Sequence, residues 1–265
     1  MVHIVAAFLY FVWSSCMNPG VALASADIDQ EHGDSENGLN GDVGIPPVIA
    51  KTESGEKIIE GNIIVSNGER RKRQAAIERE QYGKWSEGVK YVFSPNASDE
   101  LKDCFRKAAA AWERDTCINF KEGRARDYLY VADAGGYYSH VGKFGGRQNF
   151  SLESNCGYMI GHAIHQLGHA LGLYHTHSRY DRDSYVTVRP DKIKEYPNEY
   201  RIITQQEANT YGTEYDYGSI MHFGSNVHNP IFFLADENYR RTMGSHMLSF
   251  TDLWLINKHY GCFGI

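Results

Sequence analysis

No stretch of this 265-residue sequence reaches the ~20 consecutive apolar residues that a helix needs to cross a bilayer. The longest apolar run, Ile4 to Trp13, falls well short of it. A surplus of positive charge is also missing. Lys and Arg number 27 against 33 Asp and Glu, a net charge of −6, which leaves no electrostatic footprint for nucleic acid. Cysteine is scarce, with five residues, and no internal repeat is apparent, so neither a cysteine-dense scaffold nor a solenoid is indicated. What is present is an apolar content of 42% and an aromatic content of 13%, with 18 tyrosines, enough for a globular domain with a real core.

The early apolar run is followed by small residues, Ala22-Leu23-Ala24 or Ala24-Ser25-Ala26, the pattern of a secretory signal peptide over residues 1–26. No Lys or Arg precedes the run, and an N-terminal membrane anchor is the alternative, which its shortness disfavours. Secretion makes the cysteines readable as disulfides. Once Cys16 is removed with the signal, Cys104, Cys117, Cys156 and Cys262 remain, and four cysteines allow three pairings. Asn96-Ala97-Ser98 and Asn149-Phe150-Ser151 are glycosylation acceptor sequences.

The acidity sits mainly in residues 27–73, where ten Asp and Glu face six Lys and Arg. Residues 27 to about 55 are poor in apolar groups and read as loosely ordered. Arg70 to Arg73 is a basic run placed where the composition changes. As a solvated cluster it would mean nothing more. In a secreted chain it reads as a convertase site after Arg73, with 27–73 as a propeptide and 74–265 as the mature domain, beginning near Gln74 or Ala75.

Val89 to Phe93 has strand character. Ser98 or Asp99 then caps a helix that carries Leu101, Phe105, Ala108 and Trp112 on one face. The stretches "CINF" and "YLYVAD" follow as strands, and "GGYYSHVGKFGG" as a loop. Residues 176 to about 240 look mostly irregular. Ser249, with Asp252 at the third helical position, opens a last helix that Gly261 stops.

Five of the twelve histidines fall within "GHAIHQLGHALGLYHTHSR", residues 161–179. On a helix His165 and His169 are one turn apart and project from one face. Gly172 allows a left-handed backbone that ends the helix and lets His175 swing back as a third ligand. Three neutral imidazoles suit one Zn²⁺ per chain and leave a coordination position open. Downstream, "YDYGSIMHFG" places Met221 in a tight turn that looks like the methionine turn beneath the zinc of metzincins.

Over residues 75 to 262 the sequence resembles the astacin family of secreted zinc metallopeptidases. The likeness runs through the histidine string, "HTHSRYDRDSYVTV", the methionine turn, "DTCINF" and "NYRRTMGSHMLSFTDLWLINKHYGC". It implies an α+β fold of two subdomains flanking a cleft. A twisted mixed sheet with helices forms the N-terminal half, and a mostly irregular C-terminal half ends in a helix. It implies a Cys117–Cys262 disulfide, extracellular protein or peptide substrates, a zymogen, and no membrane or nucleic-acid partner.

The sequence departs from the family at several functional positions. The family's general-base glutamate after the first ligand is Gln166, whose amide cannot take up a proton. The tyrosine that stabilises the oxyanion is Phe223. The glutamate that meets the new N-terminus is Thr176. The propeptide aspartate that reaches the zinc is Asn62, in Ile59-Glu60-Gly61-Asn62. Tyr137 stands at an expected cysteine, which leaves Cys156 without its usual partner and Cys104 extra, free to pair with each other. The expectation is a zinc-binding homologue without peptidase activity. The alternative is an impaired endopeptidase in which His162 or His177 replaces the missing base.

Overall fold

The structure, a computed structural model, describes residues 42–43, 57–59, 63–65, 83–195 and 197–262. The expected signal peptide, Asn62 and the basic run Arg70 to Arg73 lie outside them. In chain order the strands are β1 (Asp42–Val43), β2 (Lys57–Ile59), β3 (Ile63–Val65), β4 (Val89–Phe93), β5 (Phe120–Glu122), β6 (Tyr128–Ala132), β7 (Tyr138–Ser139), β8 (Arg147–Ser151), β9 (Val186–Val188), β10 (Ser225–Asn226) and β11 (Phe232–Leu234). The helices are α1 (Asp99–Arg114), α2 (Ile160–Ala170), α3 (Pro190–Glu195) and α4 (Phe250–Tyr260).

Seven strands form one mixed sheet in the order β2-β3-β7-β8-β6-β4-β5. Its centre is parallel, with β4 beside β5 and β6, and β6 beside β8. The strand expected at "CINF" begins only at Phe120. Just before it, Thr116 folds back to donate to Trp112 O and Cys117 is bridged to Cys262, so the chain is held at the helix end first. The expected loop at 135–146 contains β7, and β8 follows it directly.

Helix α1 starts as its sequence suggests. Ser98 Oγ accepts from Leu101 N at 3.0 Å, and Asp99 and Glu100 occupy the first turn, where the helix dipole favours negative charge. Leu101, Phe105, Ala108 and Trp112 are all fully buried. They join Val89, Leu129, Val131 and Phe150 of the sheet and Ala163, Leu167 and Leu171 around α2 in one core. The Trp112 indole donates to Ile164 O at 3.0 Å, which ties α1 to α2 through an otherwise buried polar group.

A second core lies in the C-terminal half, built from Val186, Val188, Tyr200, Tyr215, Tyr217, Phe223, Phe232, Leu234 and Met243. Its frame is the antiparallel pair β9–β11, with short turns around it. These two large cores agree with two subdomains, and a small third cluster joins Ile64 of β3 to Tyr138 of β7. Disulfides join Cys104 to Cys156 and Cys117 to Cys262, with Cα atoms 6.1 and 5.4 Å apart. Three strands come from before the basic run. Strand β1 pairs with β10, and the β2–β3 hairpin adds to the sheet edge at β7, where Ile63 faces Ser139.

Candidate metal centre

Helix α2 carries His165 and His169 on adjacent turns. It ends at Leu171, and Gly172 takes φ +109°, so the chain leaves at a sharp angle and returns His175 to the same place. His175 Nε2 lies 3.2 Å from His169 Nε2 and 3.3 Å from His165 Nε2. A tetrahedral zinc holding imidazoles at 2.0–2.1 Å separates its ligand atoms by ~3.3 Å. Two of the three remaining ring nitrogens are directed elsewhere: His165 Nδ1 lies 2.7 Å from Ile220 O and His169 Nδ1 2.8 Å from Leu173 O. A carbonyl only accepts, so each Nδ1 carries the proton and each Nε2 presents its lone pair. With the His175 ring, these two lone pairs converge within 4.8 Å, a donor set that a cation would bind. Burial also keeps the rings neutral. It pushes His169 down to about 4 and holds His165 and His175 well below the usual histidine range. The donor set therefore fits zinc.

The turn beneath the histidines is braced from both sides. Ile220 O receives His165, while Met221 O accepts from Thr176 N at 2.9 Å, the residue after the third ligand. Asp252, 1% exposed at the start of α4, holds that turn: it accepts from Ser219 Oγ at 2.6 Å, Ile220 N at 2.9 Å and Ser249 N at 2.9 Å. The sequence marks Asp252 only as the partner of Ser249 in a capping box. Its reach to the three convergent histidines is a tertiary fact that no local pattern carries. Gly168 escapes a sequence reading in the same way, since its role is to admit Met221.

Gln166 is buried, with Oε1 lacking a hydrogen-bond partner among the described residues. Phe223 is fully buried, its ring 4.4 Å from that of His175 and 4.2 Å from that of His177. Thr176 Oγ1 donates to Ser219 Oγ at 3.0 Å. His177 lies with its Nε2 3.2 Å from Glu199 O. His162 packs against Tyr137, ring centroids 4.9 Å apart. Among the described residues, the acidic, cysteine and histidine side chains that converge on one point are His165, His169 and His175 alone. Asn96 is exposed in a turn, whereas Asn149 is half-buried within β8.

With this geometry, comparison with known proteins is decisive. The model of the Astacin peptidase family matches residues 77–261. The chain belongs to the astacin family. Zinc metalloproteinase nas-31 of Caenorhabditis elegans is 37% identical to it over 207 residues, covering 75% of the chain and 33% of that relative. Zinc metalloproteinase nas-36 of Brugia malayi is 35% identical over 202 residues, covering 72% of the chain and 34% of that relative. The chain thus spans about a third of the length of these curated relatives. Among solved structures it is similar to High choriolytic enzyme 1, a hatching enzyme zinc-protease from Oryzias latipes (medaka fish). The TM-score is 0.58 at 30% identity, over 68% of this chain and 94% of that one. The astacin fold is α+β, and membership makes this chain a zinc metalloproteinase homologue in a family that acts on proteins or peptides.

Proposed function

We propose that this astacin binds one zinc ion but has lost peptidase activity, and that its cleft holds protein or peptide segments as a decoy, competitor or regulator. The observation that carries this reading is Gln166. Its side chain sits beside the first ligand, where the reaction needs a group that takes a proton from the attacking water and passes it to the leaving amine. An amide can hydrogen-bond to water but cannot accept its proton. Loss of a general base costs ~10²–10⁴ in rate.

His165, His169 and His175 would hold the metal, which supplies Lewis-acid polarisation when bound. The residues around them do not complete the chemistry. Phe223 has no hydroxyl to offer a developing oxyanion, a loss worth ~10²–10³ elsewhere, and its ring is packed into the second core. The two deficits fall on separate steps. Neither histidine suggested as a substitute base joins the convergent set. His177 is engaged by Glu199 O, and His162 lies against Tyr137.

The organisation we assign is a signal peptide at 1–26, a propeptide at 27–73 released by a basic-specific convertase after Arg73, and the astacin domain at 74–265. The chain is secreted, a reading that its two disulfides support. Strands β1 to β3 would be the parts of the propeptide docked on the domain, and Asn62 its neutral counterpart of an inhibitory aspartate. Of the two acceptor sequences, Asn96 is the accessible one.

The test is peptide hydrolysis by zinc-loaded chain cleaved after Arg73, with and without a chelator, beside the Gln166→Glu, Phe223→Tyr double variant. The wild type should be silent and the variant should gain chelator-sensitive cleavage. Chelator-sensitive turnover by the wild type would overturn the reading.

A further inference from the structure

We propose that the metal site is a receptor for the free C-terminal carboxylate of a peptide, with the carboxylate filling the open position and the Gln166 amide donating to it. This rests on the pseudopeptidase reading and names the ligand of that same site. The first argument is charge balance. The metal ligands are neutral imidazoles, exposed by 1% or less, and no acidic group joins them among the described residues. Asp252, the acid that braces the turn, has both oxygens engaged by Ser219, Ile220 and Ser249. A dication in so dry a setting is costly without a counter-charge, so an anion is the favoured fourth ligand.

Gln166 supplies the second argument. A carboxylate at that position would repel an incoming carboxylate at hydrogen-bonding range. The amide removes that repulsion and offers N–H donors, and among the described residues its Oε1 has no partner to hold it in one orientation. Phe223 presents no oxygen that could compete for the open position.

The third argument selects a chain end rather than a side-chain acid. Two strands are joined by short stretches of chain to residues around the site. Strand β10 follows the methionine turn, and β7 leads into Gly142, whose N–H donates to His169 O at 2.8 Å. Both pair with extended backbone that precedes Arg73, β10 with β1 and β7 with β3, and release of that segment would open one flank of each to another extended chain. A peptide laid along such a flank would present main chain rather than side chain to the site. Main chain presents an anion there only where it ends.

Calorimetric titration tests this, using zinc-loaded full chain before and after cleavage at Arg73. The probes are acetyl-tetraalanine with a free C-terminal carboxylate, its C-terminal amide, and sodium acetate. Mass spectrometry of the titrated peptides monitors cleavage. The acid should bind at least about tenfold more tightly than the amide in one or both forms. That preference should disappear on zinc removal and in Gln166→Glu with zinc content unchanged. Absence of a preference in both forms, whether the two peptides bind alike or neither binds, overturns the receptor and leaves the pseudopeptidase reading standing. Acetate as effective as the peptide acid overturns the peptide part and leaves a small-anion site. Hydrolysis of the amide by the wild type overturns the underlying reading instead.

Discussion

Gly168 shows how much one missing side chain can decide. A Cβ built there would lie 2.5 Å from Met221 Sδ and 3.3 Å from Trp112 Cζ2. Alanine would ordinarily improve a helix by about 1 kcal/mol over glycine. Here Met221 is 2% exposed, and the turn that carries it also positions Thr176 and Ile220, so the thioether cannot step aside without moving the support of the ligands. Overpacking of this kind typically costs ~1–3 kcal/mol, which outweighs the helical gain. Gly168→Ala should therefore lower the urea midpoint and weaken zinc in a chelator competition. An unchanged zinc affinity would show that the thioether has room to move. The ligands themselves were legible because their spacing is local: one helical turn, then a glycine stop. Gln166 and Phe223 were legible as departures from a motif. Gly168 was not, because its reason is a neighbour distant in the chain, Met221.

Among the elements, α4 does the most at a distance. Ser249 and Asp252 form the capping box that the sequence announces, and Gly261 ends the helix at φ +71° as expected. The same Asp252 carboxyl also fixes Ser219 and Ile220, and through Ile220 O the orientation of His165. Removing it leaves buried donors without a partner, at ~1–3 kcal/mol each. Asp252→Ala should thus cost several-fold more stability than Ser249→Ala, which loses one cap at ~1 kcal/mol. It should also weaken zinc by ~10–100-fold, the usual effect of removing support behind a metal ligand. Ser249→Ala should leave zinc affinity nearly intact. If both variants bind zinc like the wild type, Asp252 serves the helix alone. Among the elements that escaped the sequence reading, β7, β9 and β11 are each only two or three residues long. Too short to show alternation, they owe their existence to a partner strand: β7 to β8 and β3, β9 to β11. By contrast α1 was fully legible, since its apolar face repeats over four turns.

For the whole molecule, the concentration of histidine in dry surroundings sets the response to acid. Burial pushes His162 and His222 down to about 4 from an unfolded value of 6.5. The neutral His222 ring is satisfied within the protein, with Nδ1 against Phe223 O and Nε2 against the Tyr215 hydroxyl, both at 2.7 Å. Each folded pKa is depressed, so the unfolded chain binds more protons between pH 6.5 and about 4. Stability from these groups is complete above 6.5 and is lost as pH falls through that window. Asp252 opposes them. Burial raises it from 3.8 to about 6, so its contribution is complete below 3.8 and is lost as pH rises toward 6. Glu199, raised by burial from 4.5 to about 7, opposes them as well, while His259 is pushed down to about 4 with His162 and His222, so three histidines against two carboxyls leave a net uptake of one proton on unfolding, about 1.4 kcal/mol per pH unit. His177, held well below the usual histidine range by burial, acts in the same direction as these three. Urea unfolding of the zinc-loaded chain should therefore show stability falling from pH 6.5 to 4.5, with a shallower fall in His162→Phe by about one proton. A stability that stays flat or rises on acidification would mean that these imidazoles reach water in the folded protein, and that the dryness on which the site depends is absent.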